Sequence, residues 1–320
     1  MNNFLYCFDS NYNIPGTCSI YSLLENTSEK INIYIMHKDF DSPDSFPDKI
    51  KKHKMLASLK VIKVELNNYD FPNIQGTHIS EATYYRLFIE DYLSDEINFI
   101  TYLDCDVFSI NNPLKLINKN IEEMKRNDSI ISVTQEKSMI NYGIKNLNMK
   151  SKRYFNAGVM IIDLNKWKSC ELKNNFLKII SNMNKKLLYW DQDVLNLSFD
   201  GDYSELHNYL NYKVDMEEND LSIEASIKKR NDISLLHYSG KFKPWAIKGA
   251  IHKNAEYFQN IYRNLYGRKY YISYNYRLNA IRDLIRGVLS GDLYRTKFPF
   301  SFIFISLKSI VKKQKPTFKI

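Results

Sequence analysis

The stretch that decides the fold runs from Asn98 to Ser109 and reads Asn-Phe-Ile-Thr-Tyr-Leu-Asp-Cys-Asp-Val-Phe-Ser. Phe99 to Leu103 is an uninterrupted, mostly apolar run, and two carboxylates, Asp104 and Asp106, follow it one residue apart. Such a run, ending abruptly in acid, marks a strand buried on both faces. Side chains i and i+2 of a strand point the same way, so the spacing predicts that Asp104 and Asp106 converge at the strand's carboxyl end, the edge where α/β folds bind ligands. Two carboxylates suit Mg²⁺ or Mn²⁺ and leave positions open for a diphosphate. Taken alone, such a pair is more often an Asx-type turn.

Outward from this strand the chain alternates. Phe4 to Phe8, Ile31 to Met36, Val61 to Leu66, Ser129 to Thr134 and Phe155 to Asp163 read as strands. The spacing predicts helices over Thr17 to Glu25, Asp44 to Leu59, Ser80 to Tyr92 with Ser80 as its cap, Asn165 to Met183, and Asp191 to Leu197. The alternation predicts an α/β fold with a mostly parallel sheet covered by helices on both faces. Residues 139–153 and 208–230 are polar and read as loops that fold over bound ligands.

A chain of 320 residues, 44% hydrophobic and 25% charged, is long enough for one large domain or two modest ones. Its net charge of +9 is unevenly placed: from Arg268 to Ile320 there are 12 Lys and Arg against two Asp, leaving the remainder close to neutral. A nucleic-acid binder would carry its basic residues across the working domain, so that class is excluded. Within the basic tail, Leu278, Ile281, Leu284, Ile285, Val288 and Leu289 recur at helical spacing beside Arg277, Arg282 and Arg286. Phe298 to Val311 is rich in Phe and Ile, with Arg295 and Lys297 before it and Lys312, Lys313 and Lys315 after it. It is too short, and too interrupted by Lys308, to span a bilayer, but suits an anionic headgroup layer. The cysteines at 7, 18, 105 and 170 have no C-x-x-C spacing, and the N-terminus has no basic region ahead of its short apolar run. The expectation is a reduced, cytoplasmic protein without a signal peptide.

Other clusters carry chemistry. His237-Tyr238-Ser239-Gly240-Lys241-Phe242-Lys243-Pro244-Trp245 follows the apolar run Ile233 to Leu236. An imidazole there would complete a metal shell and tilt it towards Mn²⁺, Gly240 would let backbone approach closely, and Lys243 would neutralise phosphate. A lone histidine beside a strand is also a common structural residue. Phe155-Asn156-Ala157-Gly158 offers a flat ligand a backbone to rest on, or is a tight turn. Trp190-Asp191-Gln192-Asp193 reads as a helix start with Asp191 as N-cap. Arg86 is a bidentate donor for sugar hydroxyls or phosphate, or a surface ion pair. A haloacid-dehalogenase-type phosphatase would want a small residue where Phe108 stands, and would carry its acids in the first strand.

In order along the chain, Asp9-Ser10-Asn11-Tyr12, His78-Ile79-Ser80 with Thr83-Tyr84-Tyr85-Arg86-Leu87, Tyr102-Leu103-Asp104-Cys105-Asp106, Tyr154-Phe155-Asn156-Ala157-Gly158-Val159, Asp191-Gln192-Asp193, and His237-Tyr238-Ser239-Gly240 with Lys243-Pro244-Trp245 resemble the family 8 glycosyltransferases. The closest resemblance is to the bacterial lipooligosaccharide galactosyltransferase type, from the Phe4 strand to Trp245. It implies a GT-A fold, in which a Rossmann-like nucleotide-binding sheet merges with an acceptor-binding half, here over residues 1–267, followed by a basic aromatic membrane-association tail over 268–320. It also implies a UDP-galactose or UDP-glucose donor, transfer with retention to a lipid-linked lipopolysaccharide or similar glycan, and Mn²⁺, with Mg²⁺ as alternative. The expected site is cytoplasmic, peripheral on the inner face of the cytoplasmic membrane, with the tail on anionic lipid.

The resemblance further implies residue roles. Asp104, Asp106 and His237 match metal ligands. Cys7, Asp9, Asn11 and Tyr12 match contacts to uracil and ribose, with Asp104 and Cys105 also at the nucleotide, and Gly240 and Lys243 match diphosphate contacts. Arg86, Asn156, Ala157, Gly158, Asp191 and Gln192 match donor-sugar contacts, and Asp191 and Gln192 are the expected catalytic pair. An amide is a poor nucleophile, which favours front-face attack by the acceptor hydroxyl with Gln192 and Asp191 as electrostatic support. Two departures stand out: Cys7 replaces a small Ala, and Gln135 replaces an Asp near the acceptor, which leaves acceptor and sugar identity open. A non-catalytic nucleotide- or glycan-binding relative is the competing reading, and intact Asp104, Asp106, His237 and Asp191 weigh against it.

Overall fold

The computed structural model describes residues 1–66, 69, 71, 81–183, 186–214, 216, 233–240, 242–273, 277–311 and 318. His78-Ile79-Ser80, Lys241, residues 217–230 of the second polar stretch, and Lys312, Lys313 and Lys315 lie outside them.

The strands are β1 (Asn3–Phe8), β2 (Ile31–His37), β3 (Leu56–Lys63), β4 (Phe99–Leu103), β5 (Val107–Ser109), β6 (Ile131–Gln135), β7 (Phe155–Asp163), β8 (Ser204–Glu205), β9 (Tyr212–Lys213) and β10 (Leu235–His237). The main sheet has the order β3-β2-β1-β4-β7-β6-β8, and a small second sheet has the order β5-β10-β9. Strands β3, β2, β1 and β4 run parallel, as the alternating pattern predicts. The sheet is mixed beyond them, because β7 lies antiparallel between β4 and β6. That inversion puts the start of β7 beside the end of β4.

Every residue of β1 from Phe4 to Phe8 is buried because both faces are covered. Phe4, Tyr6 and Phe8 join one core with Ile14, Cys18, Leu23 and Leu24 of the helix Asn13–Asn26. Leu5 and Cys7 join the opposite core with Tyr84, Tyr85, Leu87, Phe155 and Trp167. Each large apolar side chain buried in this way contributes roughly 1.5–3 kcal/mol.

Several local readings change. The helix expected over Asp44 to Leu59 is a 3₁₀ turn (Pro43–Ser45) and one α-turn (Asp48–Lys51) capped by Pro47, after which the chain is already in β3. The exposed edge of β2 captures Leu56 to Lys63 as a strand, overriding local helical spacing. The helix expected over Asn165 to Met183 is two, Leu164–Ser169 and Leu172–Met183, with Glu171 at φ 48° between them, so that Trp167 and Phe176 reach the same core. The polar stretch 139–153 contains a helix, Ile140–Leu147.

The helices Arg277–Leu289 and Pro299–Val311 form where the apolar spacing puts them. They pack with Ile247, Ala250, Tyr270 and Ile272 through Ala280, Leu284 and Phe302. Beyond them Phe318 is fully buried in the main core, stacked on Phe46 with ring centroids 4.1 Å apart. Its carbonyl accepts a hydrogen bond from Tyr266 Oη at 2.8 Å. The residues after 267 therefore supply part of the main core as well as the basic charge.

Candidate functional site

The site lies along one edge of the sheet, and topology explains which residues meet there. Parallel β1 and β4 end together, delivering Asp9 and Asp104 to the same edge. Because β7 is antiparallel to β4, Leu103 pairs with Val159, and the Asp104 N–H donates to the Gly158 carbonyl at 2.8 Å. Strand β10 pairs antiparallel with β5, His237 opposite Val107, and the Tyr238 N–H donates to the Asp106 carbonyl at 3.0 Å.

The two acids converge, though by a different route from strand alternation. Strand β4 stops at Leu103, and a turn follows in which the Val107 N–H donates to the Asp104 carbonyl at 3.0 Å. That turn brings the two carboxylates round to His237, and one potential ligand atom from each of Asp104, Asp106 and His237 lies within 4.8 Å of the others. Asp106 Oδ1 is buried without a hydrogen bond, 3.4 Å from His237 Nε2, while Oδ2 takes the Lys243 ammonium. A buried carboxylate oxygen left unsatisfied beside an imidazole fits a divalent cation at this point.

The imidazole is held for that task. Gly158 N–H and Asn211 Nδ2 both donate to Asn156 Oδ1, at 3.1 Å each. Asn211 Oδ1 is then turned towards His237 Nδ1 at 2.8 Å, so Nδ1 carries the proton and the Nε2 lone pair faces Asp106. Gly158 is needed for space as well. A Cβ there would lie 2.9 Å from His237 Nε2, 3.0 Å from Asp104 Oδ2, and closer still to His237 Cε1.

Arg86 is not on the surface. It is 4% exposed, and its guanidinium pairs with Asp191 through Nε and with Asp104 Oδ1 through Nη1 at 3.2 Å. Nη1 also donates to the Ala157 carbonyl at 2.7 Å, and the guanidinium lies 4.7 Å from the centre of the Tyr102 ring. Burial works against the Arg86 charge, and Asp191, then Tyr102 and Asp104, hold it protonated. At Asp106 burial again opposes charge, but the Lys243 ammonium outweighs it and keeps the carboxyl well below its usual range. Burial pushes the Cys7 and Cys105 thiols far upwards, so neither is a thiolate nucleophile.

Asp191 is not the N-cap of its helix. The helix is Trp190–Phe199 with Tyr189 at the cap, and Asp191 faces inward to Arg86. Gln192 accepts the Ala157 N–H on Oε1 at 3.0 Å and donates from Nε2 to Tyr154 Oη at 3.2 Å. At the far end of the edge, Asp9 caps the 3₁₀ turn Ser10–Tyr12 by accepting the Asn11 N–H at 2.9 Å, and Tyr12 packs edge-on to Trp245. Gly240 takes φ 100°, a conformation that needs glycine.

Sequence reasoning missed the residues that orient these groups. Asn211 stands in a stretch read as loop, and Asn196, whose side chain both donates to the Phe155 carbonyl at 2.9 Å and accepts its N–H at 2.7 Å, lies in a helix with no motif. A buried polar residue one helical turn after Gln192 was the available signal.

The family model described as glycosyl transferase family 8 matches residues 3–249. A lipopolysaccharide 1,2-glucosyltransferase of Escherichia coli is 30% identical over 269 residues, 81% of this chain and 77% of that protein. A lipopolysaccharide 1,3-galactosyltransferase of Salmonella typhimurium is 24% identical, over 78% of this chain and 74% of its own. Among solved structures, the galactosyltransferase LgtC in complex with donor and acceptor sugar analogs superposes with a TM-score of 0.67 at 21% identity, covering 82% of this chain and 96% of LgtC, which establishes the shared GT-A fold. With that match running through every strand of the main sheet and all of the edge described above, the chain belongs to glycosyl transferase family 8.

Proposed function

We propose that this glycosyltransferase moves a hexose, galactose or glucose, from a UDP-sugar to a hydroxyl of a lipopolysaccharide, lipooligosaccharide or other lipid-linked cell-surface glycan, with retention of anomeric configuration. The observation that carries the reading is the meeting, on one sheet edge, of the Asp104, Asp106 and His237 cluster, the Lys243 ammonium and the buried Arg86–Asp191 pair. Relatives named as glucosyl- and galactosyltransferases of lipopolysaccharide support the sugar class.

In this reading Cys7, Asp9, Asn11, Tyr12 and Cys105 receive the nucleoside, Gly240 and Lys243 the diphosphate, and Arg86, Asn156, Ala157, Gly158, Asp191 and Gln192 the hexose. Breaking the bond between the anomeric carbon and the phosphate oxygen leaves its electron pair on UDP and positive charge on the sugar. Lys243 stabilises the leaving diphosphate from its position beside Asp106. Mn²⁺, or else Mg²⁺, held by Asp104, Asp106 and His237, would neutralise the same charge. The Gln192 amide oxygen and the Asp191 carboxylate face the developing cation, and the acceptor hydroxyl attacks from the side the diphosphate leaves. The basic tail, which we assign to residues 268–320, seats the enzyme on the anionic inner face of the cytoplasmic membrane. Leu278, Leu289, Phe300 and Phe304 on its two helices are 68–81% exposed, and among the described residues no helix is long and apolar enough to cross a membrane.

A donor screen with UDP-galactose, UDP-glucose, UDP-N-acetylglucosamine and UDP-xylose tests the reading, scored by UDP release with and without Mn²⁺. Metal-dependent turnover of UDP-galactose or UDP-glucose is expected. Absence of release from every donor, with nucleotide still bound, would make the protein a binding module. Gln192→Ala should slow turnover without abolishing it, and complete loss in a folded, donor-binding variant would argue for a covalent intermediate.

A further inference from the structure

Asp193 has no part in the site so far, yet it is fully buried and more heavily hydrogen-bonded than any ordinary helix residue requires. Tyr154 Oη donates to its Oδ1 at 2.6 Å. Tyr142 Oη, at 2.7 Å, and the Tyr189 N–H, at 2.8 Å, donate to its Oδ2. The two phenols reach one carboxylate from different elements, Tyr142 from the helix Ile140–Leu147 and Tyr154 from the residue before β7, with ring centroids 6.0 Å apart and nearly perpendicular planes. Only Tyr154 continues to the site, because Gln192 Nε2 donates to its hydroxyl.

We infer that Asp193 and Tyr154 form a positioning relay that fixes which end of the Gln192 amide faces the donor sugar, an inference that rests on the role proposed for Gln192. A phenol has a single proton, and an ionised carboxylate can only accept. Asp193 takes the Tyr154 proton, so the Tyr154 oxygen can offer Gln192 nothing but lone pairs. The amide must therefore turn its NH₂ to Tyr154 and its carbonyl oxygen to the Ala157 N–H, on the same segment as Gly158 beside the metal cluster. Were the Tyr154 proton free, it could serve the Gln192 oxygen instead, and the rotated amide would set NH₂ against the Ala157 N–H. The relay thus keeps partial negative charge where sugar cation develops, without touching substrate itself. Asp193 and Tyr154 are positioning residues.

The paired phenols supply an internal control. Tyr154→Phe and Tyr142→Phe each remove one hydroxyl from the same carboxylate and leave both rings in place, but only the first cuts the link to Gln192. The expected result for Tyr154→Phe is a kcat five- to tenfold below wild type with donor KM within twofold. Tyr142→Phe should hold kcat within twofold although its melting temperature falls comparably. Asp193→Asn, whose amide can accept one phenol proton but repels the other donors, should lose at least as much kcat as Tyr154→Phe. Equal kcat in the two phenylalanine variants, or a change confined to KM, overturns the relay while Gln192→Ala remains slow. If Gln192→Ala itself turns over like wild type, the role of Gln192 is wrong and the relay falls with it.

Discussion

Replacing Gly158 by alanine puts one methyl group into the centre of the cluster formed by Asp104, Asp106 and His237. The backbone at 158 is outside the left-handed region, so alanine costs nothing in conformation, and the entire effect comes from the new Cβ. That atom would sit 2.9 Å from His237 Nε2 and 3.0 Å from Asp104 Oδ2, against an ordinary separation of about 3.5–4.0 Å for packed carbon. His237 is 2% exposed and tied to Asn211, so it cannot turn into solvent, and Asp104 is tied through its Oδ1 to Tyr102 and Arg86. Relief therefore requires the imidazole and the carboxylate to separate by about 1 Å, and misplacement on that scale costs about 10²-fold in rate, or about 2.7 kcal/mol. Disturbing the hydrogen bonds that aim a ligand costs a further 10–100-fold in metal affinity by usual experience, roughly the same energy counted at the binding step. The prediction is that Gly158→Ala folds with native circular dichroism, binds Mn²⁺ in the presence of UDP at least tenfold more weakly, and releases UDP about 10²-fold more slowly. Calorimetric titration of Mn²⁺ with UDP present, alongside steady-state UDP release, measures both. A variant with metal affinity and turnover within threefold of wild type would refute the argument that Gly158 is small to make room for these ligands.

Two further perturbations follow from other parts of the molecule. His37, fully buried, accepts the Asp39 and Phe40 N–H groups on Nδ1 at 2.9 and 3.2 Å, and its pKa is pushed down to about 4, chiefly by burial. Between about pH 6.5 and 4 the unfolded chain binds a proton that the folded one refuses, so stability falls with falling pH, by about 2 kcal/mol at pH 5 and up to about 3.4 kcal/mol below pH 4, and urea unfolding at pH 7.5 and 5 should show the loss of about 2 kcal/mol in wild type but not in His37→Gln. Phe300→Ser with Phe304→Ser should weaken co-sedimentation with anionic vesicles while leaving turnover on a soluble acceptor intact, and unchanged sedimentation would remove these helices from the membrane reading. Deleting the whole tail is a poorer test, since it would also take Tyr271 and Phe318 out of the main core.

The strand sequence Phe99 to Leu103, its terminal acids, and the short motifs at Asn156, Asp191 and His237 were sufficient to fix fold class and to nominate the candidate site residues, because apolar runs and metal-ligand chemistry are written locally. What the sequence could not contain is the set of pairings that depends on the sheet's order. The inversion of β7 beside β4 is why Gly158 faces Asp104, and the antiparallel seat of β10 on β5 is why His237 reaches Asp106. Arg86 shows the same limit: read along the chain it is either a donor for sugar and phosphate or a surface ion pair, and only folding carries it to Asp191, 105 residues away. Phe318 reads as the end of a basic tail, yet aromatic burial against Phe46 outweighs the charge around it. Local physics names the groups, and long-range packing, whose entropy cost is met only when both faces of the sheet are covered, decides which of them meet.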